Sequence, residues 1–376
     1  VERADVVVIG AGIAGMSAAS EIAQFASVTV LEAESQPAYH STGRSAALYI
    51  EPYDNDVVWA LTVASGPFFK EPPAGFADAP LMKLRRGLMI ADAAHAGAID
   101  RYLERWGERC PGLEEVSLEA ALAMVPYIDT AYVVRTLEDP EIYDIDVHTL
   151  LQGFLGKLRA KRGRLVTDAR VTGLERDGNG WRVRSTGGEF CASIVVNAAG
   201  SWGGEVGRLA EAVDLGLSPM RRTALLVAPP TDADVDRWPV VHNAGGGLYF
   251  KPEAGRLLVS PADAIPSAPC DAQPDEMDVA IALDRFQTAT HIRVQRVEHR
   301  WAGLRSFVAD GLPAVGFDPV QPDFFWLVGQ GGFGVQTSPA MGRVAAALLQ
   351  GRDLPDDLRE RGVSADQISP ARPSIA

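Results

Sequence analysis

The chain is poor in cysteine. Only Cys110, Cys191 and Cys270 occur in 376 residues, far apart and odd in number. They make neither a disulfide framework nor a CxxC metal or redox pair, which suits a reducing cytoplasm. Histidine is scarce as well. The six, at 40, 95, 148, 242, 291 and 299, show no HxH or HxxxH spacing, so no metal centre is expected. Basic charge is short: 35 Lys and Arg against 49 Asp and Glu leave a net charge of −14. A net acidic surface repels phosphate, which excludes broad nucleic-acid binding. No apolar run is long enough to cross a bilayer. Residues 6–19 are uncharged, but Glu2 and Asp5 stand where a signal peptide needs basic residues, and Gly10, Gly12 and Gly15 interrupt the run. No targeting segment is therefore expected. Internal repeats and low-complexity stretches are absent too.

What is present is apolar content of 47% with 22% charged residues, enough to bury a large core over two or three domains. Residues 5–9 read as a buried strand, 16–25 as a helix rich in small residues, and 28–31 as a second strand. Between the first strand and the helix lies Gly10-Ala-Gly12-Ile13-Ala14-Gly15. In this setting a GxGxxG string has a mechanism. Gly10 allows the tight turn, Gly12 lets backbone approach a pyrophosphate, and Gly15 lets helix and strand pack closely. The helix start offers N–H groups and a positive dipole end. Glu32, 20 residues after Gly12, ends the second strand where a carboxylate accepts hydrogen bonds from an adenosine ribose. An acid there suits FAD or NAD and disfavours NADP. Ser41-Thr42-Gly43-Arg44-Ser45-Ala46-Ala47 follows as a small, polar loop, fit either to lie along a cofactor or to form a structural turn.

Later segments extend the same fold. Residues 146–162 have helical spacing and 164–171 read as a strand, followed by a hairpin at 177–180. A buried strand at 194–196 ends in Asn197-Ala198-Ala199-Gly200-Ser201-Trp202. Residues 324–328 form another apolar strand, followed by Gly329-Gln330-Gly331-Gly332-Phe333-Gly334 and a helix over 338–349. That string is a second GxGxxG, but no strand with a terminal acid follows it. It reads better as a helix start placed against an electron-rich ring, whose developing negative charge the dipole stabilises. Short strands at 82–90, 131–137, 223–227, 247–251 and 257–260, with helices at 98–109 and 274–288, suggest a second α+β domain threaded through the first. The expected division is 1–80, 146–215 and 310–376 for a Rossmann-type α/β nucleotide domain, and 81–145 and 216–309 for a substrate domain with an antiparallel or mixed sheet. Residues 364–376 read as a loosely ordered tail.

Taken together, Gly10-x-Gly12-x-x-Gly15 with Glu32, the segment 40–47, Asn197 to Trp202, Trp301-Ala302-Gly303-Leu304-Arg305 and the segment 329–336 resemble the D-amino-acid oxidase superfamily of FAD enzymes. More closely, they resemble its bacterial D-arginine dehydrogenase branch. The resemblance covers essentially the whole chain. It implies non-covalent FAD contacted by Gly10, Gly12, Ile13, Ala14, Gly15, Glu32, Ala33, residues Ser41 through Ala47, Val171, Ala199, Gly200, Trp202, Gly331, Gly332, Phe333, Gly334, Val335, Gln336 and Thr337. It implies Arg222 and Arg305 as a clamp for the substrate carboxylate, Tyr249 near that carboxylate, Tyr53 over the flavin, and a Gly332 carbonyl facing the substrate amine. Gly87 stands where the arginine-active enzymes carry a glutamate, and Leu48 where they carry a histidine. A pocket lined by Leu48, Ile50, Gly87, Met89, Val240 and His242 is therefore expected to take apolar or neutral side chains, with Glu51 the one nearby replacement charge. The implied activity is dehydrogenation of D-amino acids by hydride transfer from Cα to flavin N5, the imino acid then hydrolysing to a 2-oxo acid and ammonia. A quinone or other non-oxygen carrier is the expected acceptor, in the cytoplasm or at the inner face of the membrane. The alternatives are an oxidase acting on D-amino acids, glycine or sarcosine, and a flavoprotein that binds a carboxylate metabolite without oxidising amino acids.

Overall fold

The computed structural model describes residues 2–178 and 180–375. Asn179, within the hairpin expected at 177–180, lies outside the described residues. The run of β-branched residues after Glu2 forms the strand Glu2–Ile9, whose second half is fully buried. It pairs in parallel with Val28–Leu31 on one side and with Gly188–Asn197 on the other. Gly188–Asn197 pairs through its first half with Gly180–Ser185 and through its last residues with Phe324–Val328. With Arg164–Val166, Val171–Asp177 and Ala314–Phe317, these strands make an eight-stranded sheet. Helices Ile13–Ile22, Val147–Ala160 and Gly334–Leu349 cover it, burying Met16, Phe154 and Met341 in one core. Gly15 is required here: a Cβ would lie 1.9 Å from the Gly10 carbonyl oxygen, so no other residue lets the helix start this close to its strand.

A nine-stranded sheet is built from Gly87–Ala91, Glu114–Val116 and Arg135–Asp139 together with strands between residues 218 and 307. Its strand alternation decides what faces what. Leu88, Ile90, Val241, Phe250, Leu225 and Val259 point to one side and pack on Val279, Ala282 and Phe286 of helix Glu276–Ala289. The residues between them, among them Gly87, Met89, His242, Tyr249 and Arg222, take the other side. A small three-stranded sheet of Leu48–Tyr49, Tyr143–Ile145 and Met82–Leu84 bridges between segments.

Several expected boundaries move. The strand expected at 82–90 splits into Met82–Leu84 and Gly87–Ala91, because Arg86 takes a left-handed turn (φ 61°). The strand at 131–137 runs over Arg135–Asp139, and the one at 164–171 stops at Val166. The tail corrects the expectation of loose order. Ser364 and Gln367 form a capping box on the short helix Ala365–Ile368, and Ile368 is fully buried. Arg372 is buried against Asp310, with Nε 2.7 Å from Oδ2. Among the described residues, no helix is long and apolar enough to cross a membrane.

Candidate active site

A long cleft of about 300 Å³ runs between the C-terminal ends of the parallel strands and the second face of the nine-stranded sheet. At one end, Gly10 turns at φ +104°, and a Cβ there would meet the Ala198 carbonyl oxygen at 2.5 Å. Gly12, Ile13 and Ala14 line the cleft at the start of the first helix. The Ile13 N–H donates to Thr42 Oγ1 at 3.0 Å, which draws the polar loop over that helix start. Glu32 is buried and lines the cleft; its Oε2 accepts the Ala11 N–H at 2.7 Å and its Oε1 the Glu34 N–H at 3.0 Å. The carboxylate thus braces the glycine turn and keeps further lone pairs for hydroxyl donors.

Of the remaining expected cofactor contacts, Ala33, Ser41, Thr42, Arg44, Ser45, Ala46, Val171, Ala199, Gly200, Trp202, Gly331, Gly332, Gly334 and Val335 line the cleft. Arg44, however, uses its guanidinium as a tie. It donates to the carbonyls of Ala272 and Ala302 and pairs with Asp271. Gly15, Gly43, Ala47, Phe333, Gln336 and Thr337 are not part of the lining. Gln336 is a brace instead: its Oε1 accepts the Ile50 N–H at 3.0 Å and its Nε2 donates to Thr62 Oγ1 at 3.0 Å. Sequence reasoning missed Glu34 and His40, which line the cleft and meet at 3.0 Å, and Gln330. Gln330 lay inside a recognised motif; the buried Nε2 that it leaves without a partner was not readable there.

At the other end, Arg222 and Arg305 come together. They sit on adjacent antiparallel strands, Ser218–Val227 and Val297–Phe307, with Arg222 opposite Gly303 and Arg305 opposite Met220. They are diagonal neighbours on one face. Neighbouring Arg221 points the other way and pairs with Asp278 at 2.7 Å. Arg222 Nε donates to the Asp263 carbonyl, while the Asp263 carboxylate takes the Thr223 N–H at 2.7 Å and its hydroxyl at 3.0 Å. Among the described residues, neither Arg222 nor Arg305 has a carboxylate within ion-pair distance. Burial and then the Arg305 charge hold Arg222 below the usual guanidinium range. Two cations confined together without an anion make a receptor for one. Tyr249 lines the same end, and a Cβ on Gly332 would lie 2.8 Å from an Arg305 guanidinium nitrogen and 3.1 Å from the Tyr53 hydroxyl. Arg222, Arg305, Tyr249, Tyr53 and Gly332 are thus gathered from five separate segments.

None of the expected pocket residues Leu48, Ile50, Gly87, Met89, Val240 and His242 is part of the cleft lining, although four of them share a sheet face with Tyr249. His242 is the register partner of Tyr249 and of Met89, and Gly87 that of Val240, so all five share the cleft-side face. His242 is neutral at pH 7, since burial brings its imidazole down to about 4. Leu48 and Ile50 lie on the strand end that Gln336 braces.

Comparison with known proteins places this arrangement. The family pattern DAO, FAD dependent oxidoreductase, matches residues 5–348. The chain belongs to that family. Glycine oxidase of Geobacillus kaustophilus is 29% identical over 198 residues, 50% of this chain and 48% of that protein. The match therefore spans about half the length of that curated relative. FAD-dependent oxidoreductase domain-containing protein 1 of Bos taurus is 25% identical over 407 residues, 93% of this chain and 81% of that protein. Among solved structures, glycine oxidase of G. kaustophilus superposes with a TM-score of 0.81 at 21% identity, covering 94% of this chain and 96% of the other. L-proline dehydrogenase of P. horikoshii also gives 0.81, at 22% identity and 96% and 99% coverage. At such identities these structures show the shared fold.

The residues present fit FAD. Gly10, Gly12, Ile13 and Ala14 bring the start of the first helix to the cleft, Glu32 offers acceptors at the strand end, and the orphaned Gln330 amide is a buried donor in the cleft lacking an acceptor. The protein is an FAD-dependent oxidoreductase of this family.

Proposed function

We propose that the chain oxidises D-amino acids to imino acids, which water then hydrolyses to 2-oxo acids and ammonia. The observation that carries this reading is the pair Arg222 and Arg305, two guanidiniums that among the described residues have no carboxylate partner, at the end of the cofactor cleft. They clamp the substrate carboxylate, and Tyr249 and Tyr53 orient it through neutral hydroxyls. The Gly332 carbonyl accepts from the substrate amine. FAD, when bound, supplies the two-electron oxidation by taking the Cα hydride. The amine proton passes to water or to the Tyr53 hydroxyl. Positioning carries most of the rate enhancement. In this reading the strands of 1–80, 146–215 and 310–376 hold FAD, and 81–145 with 216–309 supply the substrate wall.

The D configuration rests on the motif resemblance. Electrons leave to a quinone or similar carrier. The likeness to glycine oxidase favours a second reading, in which oxygen is the acceptor and the substrate is small. Anaerobic addition of D-leucine, L-leucine and glycine to the yellow protein separates these readings. Bleaching by the D-isomer supports the proposal, and bleaching by glycine alone the second reading. No bleaching by any amino acid overturns both. Oxygen uptake measured against quinone-analogue reduction identifies the acceptor.

A further inference from the structure

Arg305 stands on a strand with one open edge. Val297–Phe307 pairs with Ser218–Val227 along one side, and among the described residues no strand pairs with its other side. Carbonyls on such an edge still need donors. At alternate positions they find them in segments that line the cleft. The Ala302 carbonyl accepts Arg44 Nη1 at 2.9 Å, the Leu304 carbonyl accepts the Ser41 hydroxyl at 2.6 Å, and the Ser306 carbonyl accepts the Gly331 N–H at 3.0 Å. Ser306 Oγ also meets Ser201 Oγ at 2.9 Å. The residues on both sides of Arg305 are thus fastened to the loops of the cleft.

Arg44 is the most committed of these ties. The same Nη1 donates to the Ala272 carbonyl at 3.0 Å, Nη2 pairs with Asp271, and the Arg44 carbonyl accepts the Trp301 indole N–H at 3.0 Å. Ala272 is buried with Ala302 and Leu304 in a small apolar cluster, so the segment at 271–272 packs onto the strand here. Gly303 is the register partner of Arg222, and a Cβ there would lie 3.5 Å from Arg44 Cβ. The stem of Arg44 therefore runs beside the stretch of backbone that sets Arg222 and Arg305 as diagonal neighbours. Asp271 offsets its charge, which leaves Arg44 out of the anion receptor.

Resting on the reading of Arg222 and Arg305 as a carboxylate clamp, we propose that Arg44 is a positioning residue for that clamp. Its guanidinium joins the cofactor loop, the open edge of the strand and the 271–272 segment, and it holds Arg305 where one carboxylate reaches both arginines. Ser41 secures the next carbonyl along in the same way. A planar fork of donors serves several fixed acceptors at once, which an ammonium on a flexible stem does not match.

The test is calorimetric and needs no turnover. FAD-bound wild type, Arg44→Met, Arg305→Met and the double variant are titrated with isocaproate, which is leucine's skeleton without its amine. Arg44→Met should weaken binding by about tenfold, the size of one charge-assisted hydrogen bond. In the Arg305→Met background the same change should weaken it by no more than about twofold, because a residue acting through Arg305 has nothing left to position. Equal weakening in both backgrounds overturns the proposal, since loosened packing acts in either. So does unchanged binding in Arg44→Met. If Arg44→Met does not fold, Ser41→Ala goes through the same cycle, with the same pattern expected and the same two outcomes fatal. Wild type that binds no carboxylate, or binds it no better than Arg305→Met, is a separate result, and it removes the clamp itself.

Discussion

Arg222 and Arg305 face the cleft as diagonal neighbours on two paired strands, and among the described residues neither has a carboxylate within ion-pair distance. Burial and the Arg305 charge both disfavour the charged form of Arg222. Replacing Arg222 by Met should leave the ligand-free protein as stable or more stable, because a buried cation without a partner is exchanged for hydrocarbon. The same variant should lose about 2–5 kcal/mol of substrate binding, seen as a raised KM. A simple carboxylate ligand should raise Tm in wild type and not in Arg222→Met. Equal shifts in both proteins would refute the clamp.

Glu32 joins the Ala11 and Glu34 N–H groups at the rim of the cleft. Glu32→Gln keeps the size but removes the charge and one strong acceptor. FAD affinity should fall by about tenfold, the worth of one charge-assisted hydrogen bond. Fluorescence of released flavin during dialysis measures it. Unchanged affinity would mean that the carboxylate serves the turn alone.

The tail is held by Arg372 against Asp310, whose carboxyl the guanidinium keeps down at about 2. An unfolded aspartate titrates near 4, so this pair's contribution is complete above that value and is lost as pH falls toward 2. Arg372→Ala should cost about 1.5–3 kcal/mol at pH 7, because the Asp310 carboxylate loses its guanidinium and keeps only the Ser374 hydroxyl and the Leu312 N–H. Denaturant melts at pH 7 and pH 3 should show the penalty shrinking in acid. A pH-independent penalty would point to lost packing instead.

Asp139 has the opposite sign. Burial first, then Glu51 and its neighbours, push its carboxyl up to about 6. The protonated form is at home in the folded state, so its contribution is present below about 4 and lost as pH rises through 6. Asp139→Asn should therefore gain stability relative to wild type on going from pH 4 to pH 8, by about 3 kcal/mol. A flat difference across that range would show that Asp139 is charged in the fold.

Parts of this architecture were legible because their information is local. Gly10, Gly12, Gly15 and Glu32 lie within one β-α-β unit, and each residue has its own steric or hydrogen-bonding reason to be there. The tail was misread for the same cause: Ser364 and Gln367 are a readable cap, but the partner of Arg372 lies 62 residues away in the chain. Gln336 was expected at the cofactor from the family resemblance, and its hydrogen-bond partners, Ile50 and Thr62, are more remote still, 286 and 274 residues away.

By itself, then, the sequence determined the nucleotide half: strand, turn, helix and acid follow from periodicity and glycine placement over some thirty residues. Only the tertiary structure decided the arginine end of the cleft. Strand alternation and Asp278 sent Arg221 away and left Arg222 in the cleft, and antiparallel pairing across some eighty residues set Arg305 beside it. Likewise, Ile142 fills the space that Gly87 leaves open. Packing of this kind is a property of the whole chain, because what a side chain excludes depends on every neighbour that reaches the same volume.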